Sequence, residues 1–417
     1  MWISFFATFT LGEYPMIWIE KVLGICSNLF QTLLPSGLLS DLIIDGIVQG
    51  ALAVLVFLPN ILILYFFISM MEDTGYMPRA VFIMDKLMSK IGLNGKSFIP
   101  LLIGFGCNVP AILSSRMIEN RKDRLVTMLI NPFMSCSARL PVFVLFITAF
   151  FASHKTLVLF FVYFTGILLA VLSAILFKKT LFRGKDIPFI IELPPYRFPS
   201  FKVILKQVWF RGKIYIKKVG TTILLASLII WVLGYFPRNV KYSKNYNYEI
   251  SLLNKKPSKE NLIKIRSLEL EREAERQEKS YIGQIGKFIQ PIFEPLEFDW
   301  KMTVSIISGI AAKEVVVGTM AVLNQVQNEE DTNSLAQKLQ EQKYNTGPKA
   351  GHCVFNPLIA LTFMLFVLIY FPCIGVVAAI KRESGAWKWA LFNIAYTSTL
   401  AWFLSFTVIN LGKIIGY

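Results

Sequence analysis

Histidine is nearly missing from this chain, cysteine is sparse and odd in number, and acidic residues are heavily outnumbered. Each scarcity closes off a class of function. The 417 residues hold only His154 and His352, both in loops and without a second metal-type ligand at helical spacing, so a closed structural metal site is not expected. Five cysteines cannot all pair, and most lie inside or beside apolar runs, which argues against a disulfide framework. There is no GxxxxGK(S/T) run for a nucleotide, no HExxH motif, no dinucleotide fingerprint and no nucleophile beside a base. An intramembrane enzyme therefore has nothing to work with. The net charge of +16 arises from 43 Lys and Arg against 27 Asp and Glu. These basic residues cluster in loops beside apolar spans, as the positive-inside rule requires, so no nucleic-acid partner is expected.

Apolar sequence is what the chain has in quantity: 54% of it is hydrophobic and the mean hydropathy is +0.54. Several stretches reach the roughly 20 residues that a helix needs to cross a bilayer, which predicts an all-α polytopic membrane protein. Met1 to Leu11 is apolar but too short to span, and reads as the end of a span whose beginning is absent. Pro15 to Leu34 has the spacing of an interfacial helix. Spans are predicted over Ile47–Met71, interrupted at Pro59-Asn60, then Leu125–Phe151, Leu157–Phe177, Val219–Phe236, Phe355–Ile380 and Trp387–Leu411. Lys178 to Lys218 reads as a basic cytoplasmic loop. Pro237–Trp300 and Asn324–Cys353 read as polar inserts, the first with a charged helix near Lys259–Lys279.

The stretch Pro100–Pro141 departs from a plain span. It is apolar, yet Gly104, Gly106, Pro110, Pro132 and Pro141 break it, and it carries Cys107, Asn108, Asn131, Cys136 and Arg139. Backbone groups freed by such breaks cannot face hydrocarbon, so broken segments occur only where protein buries them or where they line a polar cavity. Met302–Leu323 is a second small-residue segment, with Lys313-Glu314 in mid-run, and Tyr370–Gly375 is a further break holding Pro372 and Cys373. The order of parts is the same in both halves. With the small-residue segments re-entrant, the halves form two inverted repeats, a common transporter plan.

Cys107, Cys136 and Cys373 stand at the three breaks. Sulfur suits transition metals, and Asn108, Ser135 and Glu314 offer oxygens that complete a weak, open shell. Cysteine is also a small hydrophobe often buried for packing alone. Arg139, Lys313 and Glu314 are ionisable groups in apolar runs, each costing about 2.5 to 3.5 kcal/mol on insertion scales unless paired or wet. A gating role, a structural pair of Glu314 with Arg139, and snorkelling of Lys313 all stay open. Glu72 and Asp73 end a span, as vestibule carboxylates or as an ordinary helix end. Cys26 and Cys353 lie outside the breaks.

The runs MEDTGYMPRA (Met71–Ala80), SFIPLLIGFGCNVPAI (Ser97–Ile112), ENRKDRL (Glu119–Leu125), NPFMSCSARLPV (Asn131–Val142), AAKEVVVGTM (Ala311–Met320), YFPC (Tyr370–Cys373) and KRESGAWKWALF (Lys381–Phe392) closely resemble the membrane domain of the ferrous iron transport protein B family. The family's two Gate segments correspond to Ser97–Ala149 and Met302–Ile380. The resemblance divides the chain into 1–41 (truncated span and interfacial helix), 42–177 (first Gate repeat), 178–218 (basic loop) and 219–417 (second Gate repeat, with inserts at 237–300 and 324–353). It implies a Fe2+ permease of the bacterial cytoplasmic (inner) membrane, multi-pass, with Fe2+ as transported substrate and no cofactor bound by this chain. GTP enters only through a separate GTPase domain or partner, with small accessory proteins of the uptake system alongside. A homo-oligomer is left open. The family's amino-terminal GTP-binding and coupling domains are not in the sequence, so either the gene is split or this is a fragment. A Gate-type carrier of another divalent metal or of a nucleoside, and a non-transporting regulatory subunit, are the alternative readings.

Overall fold

A computed structural model describes residues 10–12, 14–19, 21–22, 24–25, 37–48, 50–51, 55–56, 58–183, 195–237, 242–254, 259–326, 332–343 and 353–415. The expected truncated span at Met1–Leu11 and the interfacial helix at Pro15–Leu34 lie largely outside the described residues, as do Cys26 and His352. The protein is 82% helical with no strand among the described residues. It is an all-α membrane protein.

The helices follow the apolar runs, and proline and glycine decide where they stop. In chain order they are α1 (Leu58–Asp73), α2 (Tyr76–Lys90), α3 (Phe98–Gly104), α4 (Asn108–Ser114), α5 (Arg121–Ile130), α6 (Leu140–Phe150), α7 (Lys155–Thr180), α8 (Phe201–Tyr215) and α9 (Thr221–Tyr235). There follow α10 (Tyr246–Asn254), α11 (Lys259–Lys279), α12 (Tyr281–Phe293), α13 (Trp300–Ser308), α14 (Val315–Leu323), α15 (Thr332–Glu341), α16 (Pro357–Ile369), α17 (Ile374–Ser384) and α18 (Trp387–Ile415). Pro59 sits in the first turn of α1, where its missing N–H is no loss. Gly75, at φ 76°, takes the left-handed conformation that lets the chain turn from α1 into α2.

Among the described residues, four stretches are long and apolar enough to cross a membrane: Arg121–Phe150, Lys155–Thr180, Pro357–Ser384 and Trp387–Ile415. The two with internal breaks are the more buried, at 56% and 78% of their most apolar window, against 28% and 17% for the two continuous helices. Unbroken helices thus carry the exposed apolar surface, as α7 does with Leu157, Phe160 and Leu172, and interrupted backbone is kept inside.

The chain forms two compact units. The first comprises Met1–Ser137, Tyr163–Leu228 and Ile374–Ala395; the second comprises Ala138–Val162, Ile229–Cys373 and Tyr396–Tyr417. The first is centred on Leu64, Ile68, Met71, Val81, Ile99 and Ile103. The second has an aromatic core in which Phe363 meets Phe146 at 5.0 Å and Phe298 at 5.4 Å between ring centroids.

One part read from sequence as a loop is partly helical: α8 lies within the basic segment 178–218. Arg79, Lys86 and Lys90 lie on α2. The charged helix expected near Lys259–Lys279 is α11.

Candidate functional site

In the first unit, α3 stops at Gly104 and the chain turns through Phe105, Gly106 and Cys107 before α4 begins. The N–H of Gly106 and that of Cys107 both donate to the Ile103 carbonyl, at 2.9 and 3.0 Å, closing the turn, and Cys107 is extended at φ −152°. Phe105 stacks on Tyr163 of α7 at 6.3 Å, which fixes the turn against a continuous helix.

Facing this turn, the helical path from α5 to α6 fails at Pro132, which lacks a backbone N–H and leaves only 3₁₀ turns at Asn131–Phe133 and Ser137–Arg139. The two interruptions are bonded to each other. Ser137 donates to the Gly106 carbonyl twice, from its N–H at 3.3 Å and its Oγ at 3.1 Å. The Asn108 amide donates to the Met134 carbonyl at 3.3 Å, and the Asn131 amide donates to Asn108 Oδ1 at 3.2 Å. Cys107 therefore lies between two residues that bond to the strip carrying Ser135 and Cys136. Both thiols are half-buried and outside any disulfide.

Two oxygens in this pocket of polar groups have no hydrogen-bond partner: Asn131 Oδ1 and Ser135 Oγ, on side chains 0% and 1% exposed. Leaving a buried acceptor unsatisfied costs about 1–3 kcal/mol. Gly104 makes room for the two asparagines, since a Cβ there would lie 2.9 Å from Asn131 Oδ1 and 3.0 Å from Asn108 Oδ1.

The second unit holds a break of the same make. Helix α13 ends at Ser308, and Gly309 to Glu314 run through turns before α14. A Cβ on Gly309 would meet Val316 Cγ2 at 2.4 Å and the Tyr370 hydroxyl at 2.5 Å, so only glycine fits. Opposite, Pro372 interrupts the path from α16 to α17, and Tyr370 leaves the helix at ψ 178°. Lys313, 3% exposed, donates to the Phe371 carbonyl at 2.7 Å and lies over the Tyr370 ring at 3.2 Å. Lys313 is thus held inside the break. The Tyr370 hydroxyl donates to the Ile306 carbonyl at 3.4 Å. Glu314 and Cys373 are half-buried at the two sides of this break, and Arg139 is fully buried in the same unit.

Glu72 and Asp73 are tied to the basic segment. Glu72 accepts from Arg211 at 3.0 Å, and Asp73 accepts from the Ser200 N–H at 2.7 Å. Glu72 also lines an apolar cavity of about 270 Å³, together with Tyr65, Ile68, Ile103, Pro110 and Ser114.

The predicted site residues thus divide between the units: Cys107, Asn108, Ser135 and Cys136 in the first, Arg139, Lys313, Glu314 and Cys373 in the second. Among the described residues, no three His, Cys, Asp or Glu side chains group as a metal site. Asn131 was visible in the broken stretch but was not predicted as a ligand. Its partner Asn108 is 23 residues away, and only the fold pairs them.

Paired, mutually bonded helix breaks inside an all-α membrane protein define a gate-type architecture. The chain matches the family described as nucleoside recognition, Gate, over residues 54–150 and 216–387, and the C terminus of ferrous iron transport protein B over residues 159–211. It is 52% identical over 415 residues to a Fe(2+) transport protein A/Fe(2+) transporter FeoB fusion protein of Porphyromonas gingivalis, covering 99% of this chain and 49% of that protein. It is 40% identical to the Fe(2+) transporter FeoB of Campylobacter jejuni, covering 100% of this chain and 62% of that one. The corresponding protein of Methanocaldococcus jannaschii is 36% identical, with 100% and 56% covered. No solved structure matches the chain. The chain belongs to the ferrous iron transport protein B family, of which it is the membrane part. It spans about half to three-fifths of the length of these relatives.

Proposed function

We propose that this chain conducts ferrous iron across the bacterial cytoplasmic membrane, as the permease part of a GTPase-linked uptake system. The observation that carries the reading is the first break, where two thiols flank a buried set of amide and hydroxyl oxygens, two of them without partners. A dication at that depth must exchange its hydration shell for protein donors, and conduction needs a site weak enough to release it. Neutral oxygens with one or two sulfurs meet both demands, and no carboxylate in the first break traps the ion. The relatives' names, Fe(2+) transporter, support iron as the cargo.

In this reading Cys107, Cys136, Asn108, Asn131 and Ser135 form one station, and Cys373 with Glu314 contributes a second. The two breaks belong to inverted repeats, multi-pass in the membrane, with the basic segment 178–218 in the cytoplasm. A GTPase, on the part of the family's length outside this chain or on a separate polypeptide, supplies the coupling. The Porphyromonas relative is named as a fusion with Fe(2+) transport protein A, which supports a small accessory partner.

The test is Fe2+ uptake into liposomes holding this chain, with and without an added GTPase. Cys107→Ala and Cys136→Ala are expected to lower uptake at least tenfold while the protein still reaches the membrane. Uptake unchanged in both variants removes the station. The matched description, nucleoside recognition, favours one rival: saturable nucleoside binding, with no stabilisation by Fe2+, would make the chain an organic solute carrier.

A further inference from the structure

We propose that the outer face of α8 is a binding surface for anionic phospholipid headgroups, anchoring the basic segment to the membrane surface. Helix α8 divides into an inner and an outer side. Ile204, Gly212 and Tyr215 are buried in the first unit, and the helix is pinned there at both ends of its inner side by the Asp73 carboxylate on the Ser200 N–H and by the Arg211–Glu72 ion pair. Those contacts use Arg211. They leave the opposite side uncovered by this unit.

That uncovered side is ordered. Leu205 and Trp209, 60% and 74% exposed, continue the line of Phe201, which is 64% exposed with its ring 6.4 Å from that of Phe66. Lys202, Lys206 and Lys213 form the adjoining stripe and are all exposed. A shallow hollow runs between these lysines and Trp209. Among the described residues, the ion pairs of this unit engage Lys96, Arg116, Lys178 and Arg211, and none of these three lysines. Three unneutralised ammonium groups beside three large apolar side chains match one chemistry well, an acyl boundary capped by phosphates. Tryptophan at such a boundary keeps its ring in the apolar layer and its N–H wet. The chain position agrees. The π-helical turn Ile216–Gly220 follows α8 directly, and the apolar helix α9 begins at Thr221, so α8 leads straight into an apolar helix.

The surface commits to lipid over a soluble partner because the apolar and basic stripes run side by side from Phe201 to Trp209, with Lys213 one turn further on. A protein partner of ordinary shape would need an acidic ridge and an apolar groove in the same register.

The experiment uses the full chain in a neutral detergent, titrated with phosphatidylglycerol, phosphatidylcholine or inorganic phosphate while thermal unfolding is followed. Phosphatidylglycerol is expected to raise the melting temperature saturably; phosphatidylcholine and phosphate are not. Neutralising the charges together, Lys202→Gln, Lys206→Gln and Lys213→Gln, is expected to weaken the phosphatidylglycerol midpoint by roughly a hundredfold, about fivefold per lysine. Brominated phosphatidylglycerol is expected to quench tryptophan emission in the native chain and measurably less in Trp209→Phe, a substitution that leaves the lysines in place. Equal stabilisation by both lipids overturns the proposal, as does stabilisation by phosphate alone or quenching that Trp209→Phe does not reduce. If the triple variant does not fold, the headgroup comparison on the native chain and the Trp209→Phe quench decide it.

Discussion

A single methyl group tests the first break. At Gly104 a Cβ would meet Asn131 Oδ1 and Met134 Cβ, both at 2.9 Å, and Asn108 Oδ1 at 3.0 Å. None of these is the loose end of a long side chain, so Gly104→Ala must push the two interruptions apart, at a cost of about 1–3 kcal/mol. The expected outcome is a lower melting temperature together with reduced Fe2+ uptake. Wild-type values for both would show that the contact between the breaks is slack. Lys313 tests the second break. Lys313→Met keeps the bulk but removes the donor to the Phe371 carbonyl, which is expected to cost about 1–3 kcal/mol in thermal or denaturant unfolding. Lys313→Arg, which can still donate to that carbonyl, is expected to recover part of the loss. The cysteines, glycines and prolines at these positions were legible in the sequence because each is unusual in an apolar run. The bonds of Asn108 with Asn131 and of Lys313 with Phe371 were not, because they join residues 23 and 58 positions apart.

Elements were legible where backbone chemistry dictates them. Pro132 and Pro372 end helices at the predicted breaks, and α11 matches the predicted charged helix from Lys259 to Lys279. Helix α8 was missed because its lysines resemble a loop and its apolar residues divide between two faces, one buried and one exposed. The hairpin of α10 and α11 carries its own titration. Burial raises the Glu275 carboxyl, but hydrogen bonds from Lys279, Ser243 and Tyr246 outweigh it and bring its pKa down to about 2. A depressed carboxylate stabilises the fold fully above its unfolded pKa of roughly 4.3, and that contribution fades as pH falls through the folded value. The protection factors of the amides in Tyr246–Asn254, that is, exchange relative to the intrinsic rate at each pH, are therefore expected to hold constant near neutral pH and to fall as pH drops from about 4 toward 2. In Glu275→Gln this fall should disappear. If the native chain and the variant follow the same profile, the Glu275 cluster does not hold the hairpin.

At the level of the whole molecule, neither unit is made of one continuous stretch. The first unit needs Ile374–Ala395 from late in the chain, where Asn393 donates to the Leu129 carbonyl at 3.0 Å and Glu383 accepts from Arg116 at 2.5 and 2.6 Å. The second unit needs Ala138–Val162, from which Phe146 meets Phe355 at 5.6 Å and Phe363 at 5.0 Å. A repeated order of parts along the sequence cannot reveal this exchange, because periodicity reports local pattern and not which segments pack together. The exchange makes a prediction about a divided chain. Expressed together as residues 1–254 and 259–417, the two pieces each lack part of both cores, and each has the missing part of the other. They are expected to copurify through a tag on either one and to unfold in a single transition near that of the intact chain. Expressed alone, each piece exposes apolar core surface that its own sequence cannot cover and should be degraded or aggregate. Two pieces that are each stable alone and fail to associate would mean that the late and early segments contribute little to the units they join.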